Sequence, residues 1–91
     1  MHLYIFFFYS KNQEEEWIKV DLGARRVISG IVTQGNVERK SWVTKFYVAL
    51  GNSANYMRKY KDENNLPVLF DGSSDPDTPH MVFFSRNITA R

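Results

Sequence analysis

Residues 17–35 constrain the fold more than any other part of the chain. Ile18, Val20 and Leu22 alternate with Lys19 and Asp21. A period of two puts apolar side chains on one face of a strand and charged ones on the other. Gly23 follows, where a turn can take a positive φ at little cost. Residues 27–33 are rich in β-branched side chains and apolar on both faces, the pattern of a more deeply buried strand. Two strand-like segments joined by a tight, basic turn are expected. As a plain hairpin core they carry no function of their own.

The rest of the chain repeats this style in short pieces. Residues 42–50 read as a strand with Trp42, Phe46, Val48 and Leu50 on one face. Residues 51–55 form a turn cluster. Residues 56–60 read as a short edge strand, its Arg58 and Lys59 suited to an exposed edge. Residues 66–70 and 81–84 read as two more strands, with a long turn region over 71–79 that holds two prolines. No amphipathic helix, repeat or linker interrupts them. Short strands at regular spacing point to an all-β sandwich or barrel. The expected core is Trp17, Ile18, Val20, Leu22, Val27, Ile31, Trp42, Phe46, Val48, Val68 and Phe70. With 91 residues the chain makes at most one domain. Its hydrophobic fraction of 43% is enough for a packed core rather than disorder.

Four blocks, in order, resemble the discoidin domain, also called the coagulation factor V/VIII type C domain. They are residues 17–35; Ser41-Trp42-Val43-Thr44-Lys45-Phe46-Tyr47-Val48; residues 67–79, with Phe70, Gly72, Asp75, Thr78 and Pro79; and Ile88-Thr89-Ala90-Arg91. The resemblance covers residues 14–91. It implies an antiparallel jelly-roll β-sandwich of the galactose-binding-like type, incomplete here, with only the central strands supplied. It also implies an extracellular or cell-surface parent protein. Family members usually carry a cysteine pair near the domain ends. This chain has no cysteine, which suggests truncation rather than a cytosolic address.

The N-terminus does not fit the pattern. Residues 3–9 are an unbroken apolar run with Phe or Tyr at positions 6 to 9. The run lacks the basic start and small-residue exit of a signal peptide, and it is far shorter than the roughly 20 residues of a membrane helix. Residues 1–13 are therefore expected to be an atypical leader foreign to the fold. The alternative is a divergent first strand that pairs with the sheet. On either reading an isolated chain with open sheet edges is expected to be marginal or aggregation-prone.

The chain offers little for catalysis. His2 and His80 stand in no catalytic motif, and the sequence holds no phosphate loop, nucleophile elbow or zinc-protease signature. No enzyme activity is expected. The net charge of +2 gives no argument for nucleic acid.

The best binding candidate is the polar loop of Asn36, Val37, Arg39, Lys40 and Ser41, with Glu38 opposing the two cations. The resemblance places it among the protruding rim loops. Arg39 and Lys40 suit a phosphate, sulfate or carboxylate. The expected function is a non-catalytic adhesion or recognition module. Its partner would be an anionic phospholipid, a cell-surface or matrix glycan, or a protein ligand. The alternatives are a carbohydrate-binding domain appended to an enzyme or lectin, and a truncated product with no stable fold. No cofactor is expected. Asp71, Asp75 and Asp77 are weak candidates for calcium, which wants six to eight oxygens, and such residues also simply make turns. Asn87-Ile88-Thr89 fits the N-glycosylation sequon.

Overall fold

The computed structural model describes residues 1–10, 14–53 and 55–91. These residues form seven strands: β1 (His2–Tyr9), β2 (Glu15–Val20), β3 (Arg26–Thr33), β4 (Val43–Ser53), β5 (Tyr56–Lys59), β6 (Phe70–Asp71) and β7 (His80–Ala90). Among the described residues there are no helices, and so none long and apolar enough to cross a membrane. One sheet runs β2-β1-β4-β5, with β6 also on β4; the other is β3 with β7. Every pairing is antiparallel. The expected all-β antiparallel sandwich is the observed architecture.

The period of two builds the core. Leu3, Ile5 and Phe7 of β1 stand opposite Leu50, Val48 and Phe46 of β4, so one face of the large sheet is continuously apolar. Phe84, Ile88 and Ala90 of β7 close over that face from the second sheet. Aromatic rings make the junction. Phe46 stacks on Phe70 at 5.4 Å, and Phe70 meets Phe84 edge-on at 5.5 Å. Tyr60 packs on Phe84 at 5.3 Å. Phe46 and Val48 are completely buried. The hydrophobic burial that holds the two sheets together is centred there.

Several expectations are corrected. Residues 2–9 are not foreign to the fold. They form β1, which lies inside the large sheet between β2 and β4, with Leu3, Tyr4 and Phe7 buried. The apolar run is the signature of a strand covered on both faces. Lys11, Asn12 and Gln13, also assigned to the leader, lie outside the described residues, as does Ala54 of the turn cluster.

The segments over 17–35 are not a hairpin. β2 and β3 belong to different sheets, and the turn between them crosses the sandwich. Gly23 takes φ 74° there, and its N–H donates to Asp21 Oδ1 at 2.8 Å. Of the expected core, Trp17, Ile18 and Val27 are exposed, at 52%, 47% and 68%. Trp17 and Ile18 ride on the edge strand β2, while Val27 lies opposite the exposed Thr89. Trp42 is half-buried and stands outside the core cluster. Residues 66–70 form only an isolated bridge, Lys61 with Pro67, before the short β6.

Candidate functional site

The strands bring one set of loops together at one end of the sandwich. β1 ends there at Tyr9, β3 ends at Thr33, and β4 begins at Val43. The loop from Asn36 to Ser41 closes as a tight hairpin. Asn36 N–H donates to Ser41 O at 2.8 Å, and Ser41 N–H returns to Asn36 O at 3.2 Å. Inside it, Lys40 N–H donates to Val37 O at 3.3 Å and Arg39 N–H donates to Asn36 Oδ1 at 3.2 Å. A four-residue tip built on a turn of this kind ends in a left-handed residue, and Lys40 takes φ 50°. Non-glycine residues reach that region only at a cost. The tip is therefore set by its backbone, and it presents Val37, Glu38, Arg39 and Lys40 to solvent.

A second loop, residues 72–79, packs beside the first. Gly72 N–H donates to Thr44 O at 2.8 Å. Ser73 is buried; its Oγ donates to Thr33 O at 3.1 Å and accepts from Thr33 Oγ1 at 3.0 Å. Gln34 Nε2 donates to Asp77 O at 3.3 Å. Gly35 is where the parts meet. A β-carbon on it would lie 2.6 Å from Ser41 O, 2.7 Å from Pro76 Cα and 2.9 Å from Trp42 Cβ. Only glycine lets three segments approach that closely.

Between these segments lies a cleft of about 560 Å³. Its wall includes Tyr9, Gln34, Asn36, Arg39, Ser41 and Trp42. Trp42 is tied to the end of β1: Ser10 N–H donates to Trp42 O at 2.9 Å, and Trp42 N–H donates to Ser10 Oγ at 3.2 Å. The cleft thus combines two aromatic side chains, neutral hydrogen-bonding groups and one guanidinium. Such a surface can hold a flat or apolar moiety and fix an anionic group at its edge.

The structure brings Asn36, Arg39 and Ser41 together in this wall. Val37 stands on the exposed tip. Trp42, which the sequence places at the base of the loop and in the expected core, and Tyr9, which falls in the expected leader, both stand in the wall. The ordered Trp-Val-Thr block marks the first. Nothing local marks the second, because its place depends on β1 pairing with β4.

The three aspartates do not converge. Asp71 pairs with Lys45 Nζ at 2.6 Å, and this bond holds its carboxyl below the ordinary value. Asp75 Oδ1 accepts from Thr78 N–H at 2.7 Å and from Asp77 N–H at 2.8 Å. Those bonds, Thr78 first, hold its carboxyl low as well. The loop uses Asp75 as a turn anchor. Among the described residues no group of three acidic, His or Cys side chains is placed to hold a metal ion. Asn87 is exposed on β7, at the opposite end of the strands.

Two packed antiparallel sheets with a cleft among the loops at one strand end define a β-sandwich domain of the loop-rim kind. The chain belongs to the F5/8 type C domain family, whose model matches residues 7–91. Neuropilin-1 of Mus musculus is 32% identical over 73 residues, which is 77% of this chain and 8% of that protein. Retinoschisin of Mus musculus is 39% identical over 69 residues, 72% of this chain and 30% of that protein. Neurexin-4 of Drosophila melanogaster is 27% identical over 81 residues, 89% of this chain and 6% of that protein. The chain therefore spans only a minor part of each of these relatives. No solved structure gives a significant match.

Proposed function

We propose that this chain is a non-catalytic, extracellular binding module that takes a ligand with an anionic group at the rim cleft. The carrying observation is the convergence at Gly35. Two loops distant in sequence are locked against each other there, and Arg39, Tyr9 and Trp42 line the space beside them. Family membership supports the extracellular setting, since the similar segments occur in neuropilin-1, retinoschisin and neurexin-4. The two histidines support a non-catalytic reading. His80 stands opposite Thr33 at the rim end, and His2 opposite Gly51 at the other end. They cannot serve one reaction centre.

An anionic membrane surface is the first ligand to consider. Val37 is exposed at the tip, and Arg39 and Lys40 follow it in the same turn, after Glu38. Each cation near such a surface contributes about 1 kcal/mol. The double variant Arg39→Glu/Lys40→Glu should therefore weaken binding to phosphatidylserine vesicles by at least about thirtyfold. The loss should shrink in high salt, because exposed charges are screened. Reversal of Arg58 and Lys61, at the far end, should leave vesicle binding nearly unchanged. Equal losses from both pairs would reduce the effect to general charge attraction. A specific observation favours a second reading, a neutral glycan: Tyr9 and Trp42 offer flat faces on which sugar rings stack. Trp42→Ala would then abolish glycan binding, while the charge-reversed rim variant would keep it.

A further inference from the structure

A second cleft, larger than the one at the rim, lies away from it. It occupies about 780 Å³ where β4 ends and β3 begins, and its wall includes Leu50 and Asn52 of β4 and Arg25 just before β3. The rim lies where β3 ends and β4 begins, so the two clefts open at opposite ends of the strands. The volume falls within the roughly 300–1,000 Å³ of ligand-holding pockets.

The charge of this cleft is one-sided. Arg25, Arg58, Lys61 and Arg86 line it, beside Lys59, whose ammonium lies over the Tyr47 ring, and no described residue of its wall is Asp or Glu. They come from four separate places: the turn before β3, strand β5, the segment after β5, and β7. Among the described residues none of the four is paired with a carboxylate. Like charges gathered without a counter-charge repel one another, and the arrangement favours an anion that bridges them.

Arg86 is already fixed for this role. The pairing of β3 with β7 is irregular between Ile28 and Gly30: Ile28 pairs with Ile88, but Gly30 pairs with Phe83. Residues 84–87 of β7 lie opposite the single Ser29 of β3 there. Arg86 Nη2 donates to Lys61 O at 2.6 Å, and the guanidinium lies 5.5 Å from the centre of the Tyr60 ring. Tyr60 is held in turn. Its hydroxyl accepts from Arg86 N–H at 3.1 Å and shares a bond with Ser85 Oγ at 3.0 Å. A side chain held in this way loses little further freedom on binding.

The neutral wall narrows the ligand class. Asn52, Asn65 and Asn87 supply amides, and Tyr56 stands at the wall with 80% of its surface exposed. Anionic groups would meet the guanidinium and ammonium groups, hydroxyls would meet the amides, and the C–H face of a sugar ring would pack on Tyr56. A bilayer is flat and cannot enter a recess between strands, but a narrow polymer can. We propose that this second cleft, independent of the rim, binds a sulfated oligosaccharide.

The experiment uses the whole chain made without N-glycosylation, so that Asn87 is bare. Binding of a heparin octasaccharide is measured by calorimetry, with circular dichroism confirming that each variant is folded. Arg58→Glu/Lys61→Glu should lose at least about tenfold in affinity, since charge-assisted contacts are the strong ones. Arg39→Glu/Lys40→Glu should stay within about twofold of the native chain, because the rim lies more than a screening length away. The desulfated octasaccharide should bind as weakly as the cleft variant does. Arg86→Gln removes one positive charge and should fall between the native chain and Arg58→Glu/Lys61→Glu. Equal loss from the rim and cleft pairs, or no loss from the cleft pair, overturns the proposal. Preference for a phosphopeptide over the octasaccharide overturns it too. Failure of the vesicle experiment at the rim leaves this outcome untouched, so the two readings fail separately.

Discussion

Truncating Phe7 tests whether the apolar N-terminal run is a working strand. Phe7 keeps 8% of its surface exposed, sits opposite Phe46 in β4, and meets Tyr9 edge-on at 5.2 Å. A phenylalanine side chain buries roughly 150 Å² or more. Replacement by alanine withdraws about 100 Å² of that, worth about 2.5 kcal/mol at about 25 cal/mol per Å². The cavity left between the sheets raises the total to about 3–5 kcal/mol. In a domain of this size each kcal/mol moves the melting temperature by about 4–8 °C, so Phe7→Ala should melt at least about 12 °C lower. Phe7→Leu should cost only about 1 kcal/mol and stays measurable if the alanine variant does not fold. Phe8 is the internal control. It points to the opposite face of β1 and is half-buried, so Phe8→Ala should cost about 1 kcal/mol. Both are read by urea and thermal unfolding followed by circular dichroism. Equal costs at positions 7 and 8, or no shift from Phe7→Leu, would refute the placement of β1 inside the sheet.

Two further outcomes concern the rim. Gly35→Ala should destabilise the chain by about 1–3 kcal/mol, because the added carbon meets backbone atoms of Ser41 and Pro76 that have nowhere to move; a melt unchanged within error would show that the loops are not locked there. The second outcome is acid sensitivity. Asp75 is held below its ordinary value of 3.8 by the N–H groups of Thr78 and Asp77. A depressed carboxyl contributes stability above its unfolded pKa and loses it as pH falls through its folded pKa. Thermal melts below about pH 4 should therefore decline less steeply for Asp75→Ala than for the native chain; parallel declines would remove Asp75 as an anchor of the loop.

Much of the architecture is written in local pattern. The alternation of residues 18–22, the β-branched run over 27–33 and the apolar spacing of residues 46, 48 and 50 determine strands, because a period of two can bury only one face of a pleated segment. The position of loop 36–41 between two such runs was equally legible. What the pattern could not say is which strands share a sheet. Residues 17–33 look like a hairpin, yet their two halves lie in different sheets, because the partners that cover them come from β1 and β7, far away in sequence. The run over residues 3–9 carries no alternation, so only its pairing along both edges, with β2 and β4, reveals it as a strand inside the sheet. The same holds for the sites. Arg39 was visible as a cation in a polar loop, but its neighbours Tyr9 and Trp42 are brought to it by the β1–β4 register. Arg25, Arg58, Lys61 and Arg86 are spread over sixty residues and form one basic cleft only when the sandwich closes. The local pattern sets which side chains share a face along each strand; long-range pairing, whose energy depends on distant partners, decides which face is covered, leaving Trp17, Ile18 and Val27 exposed, and which side chains meet.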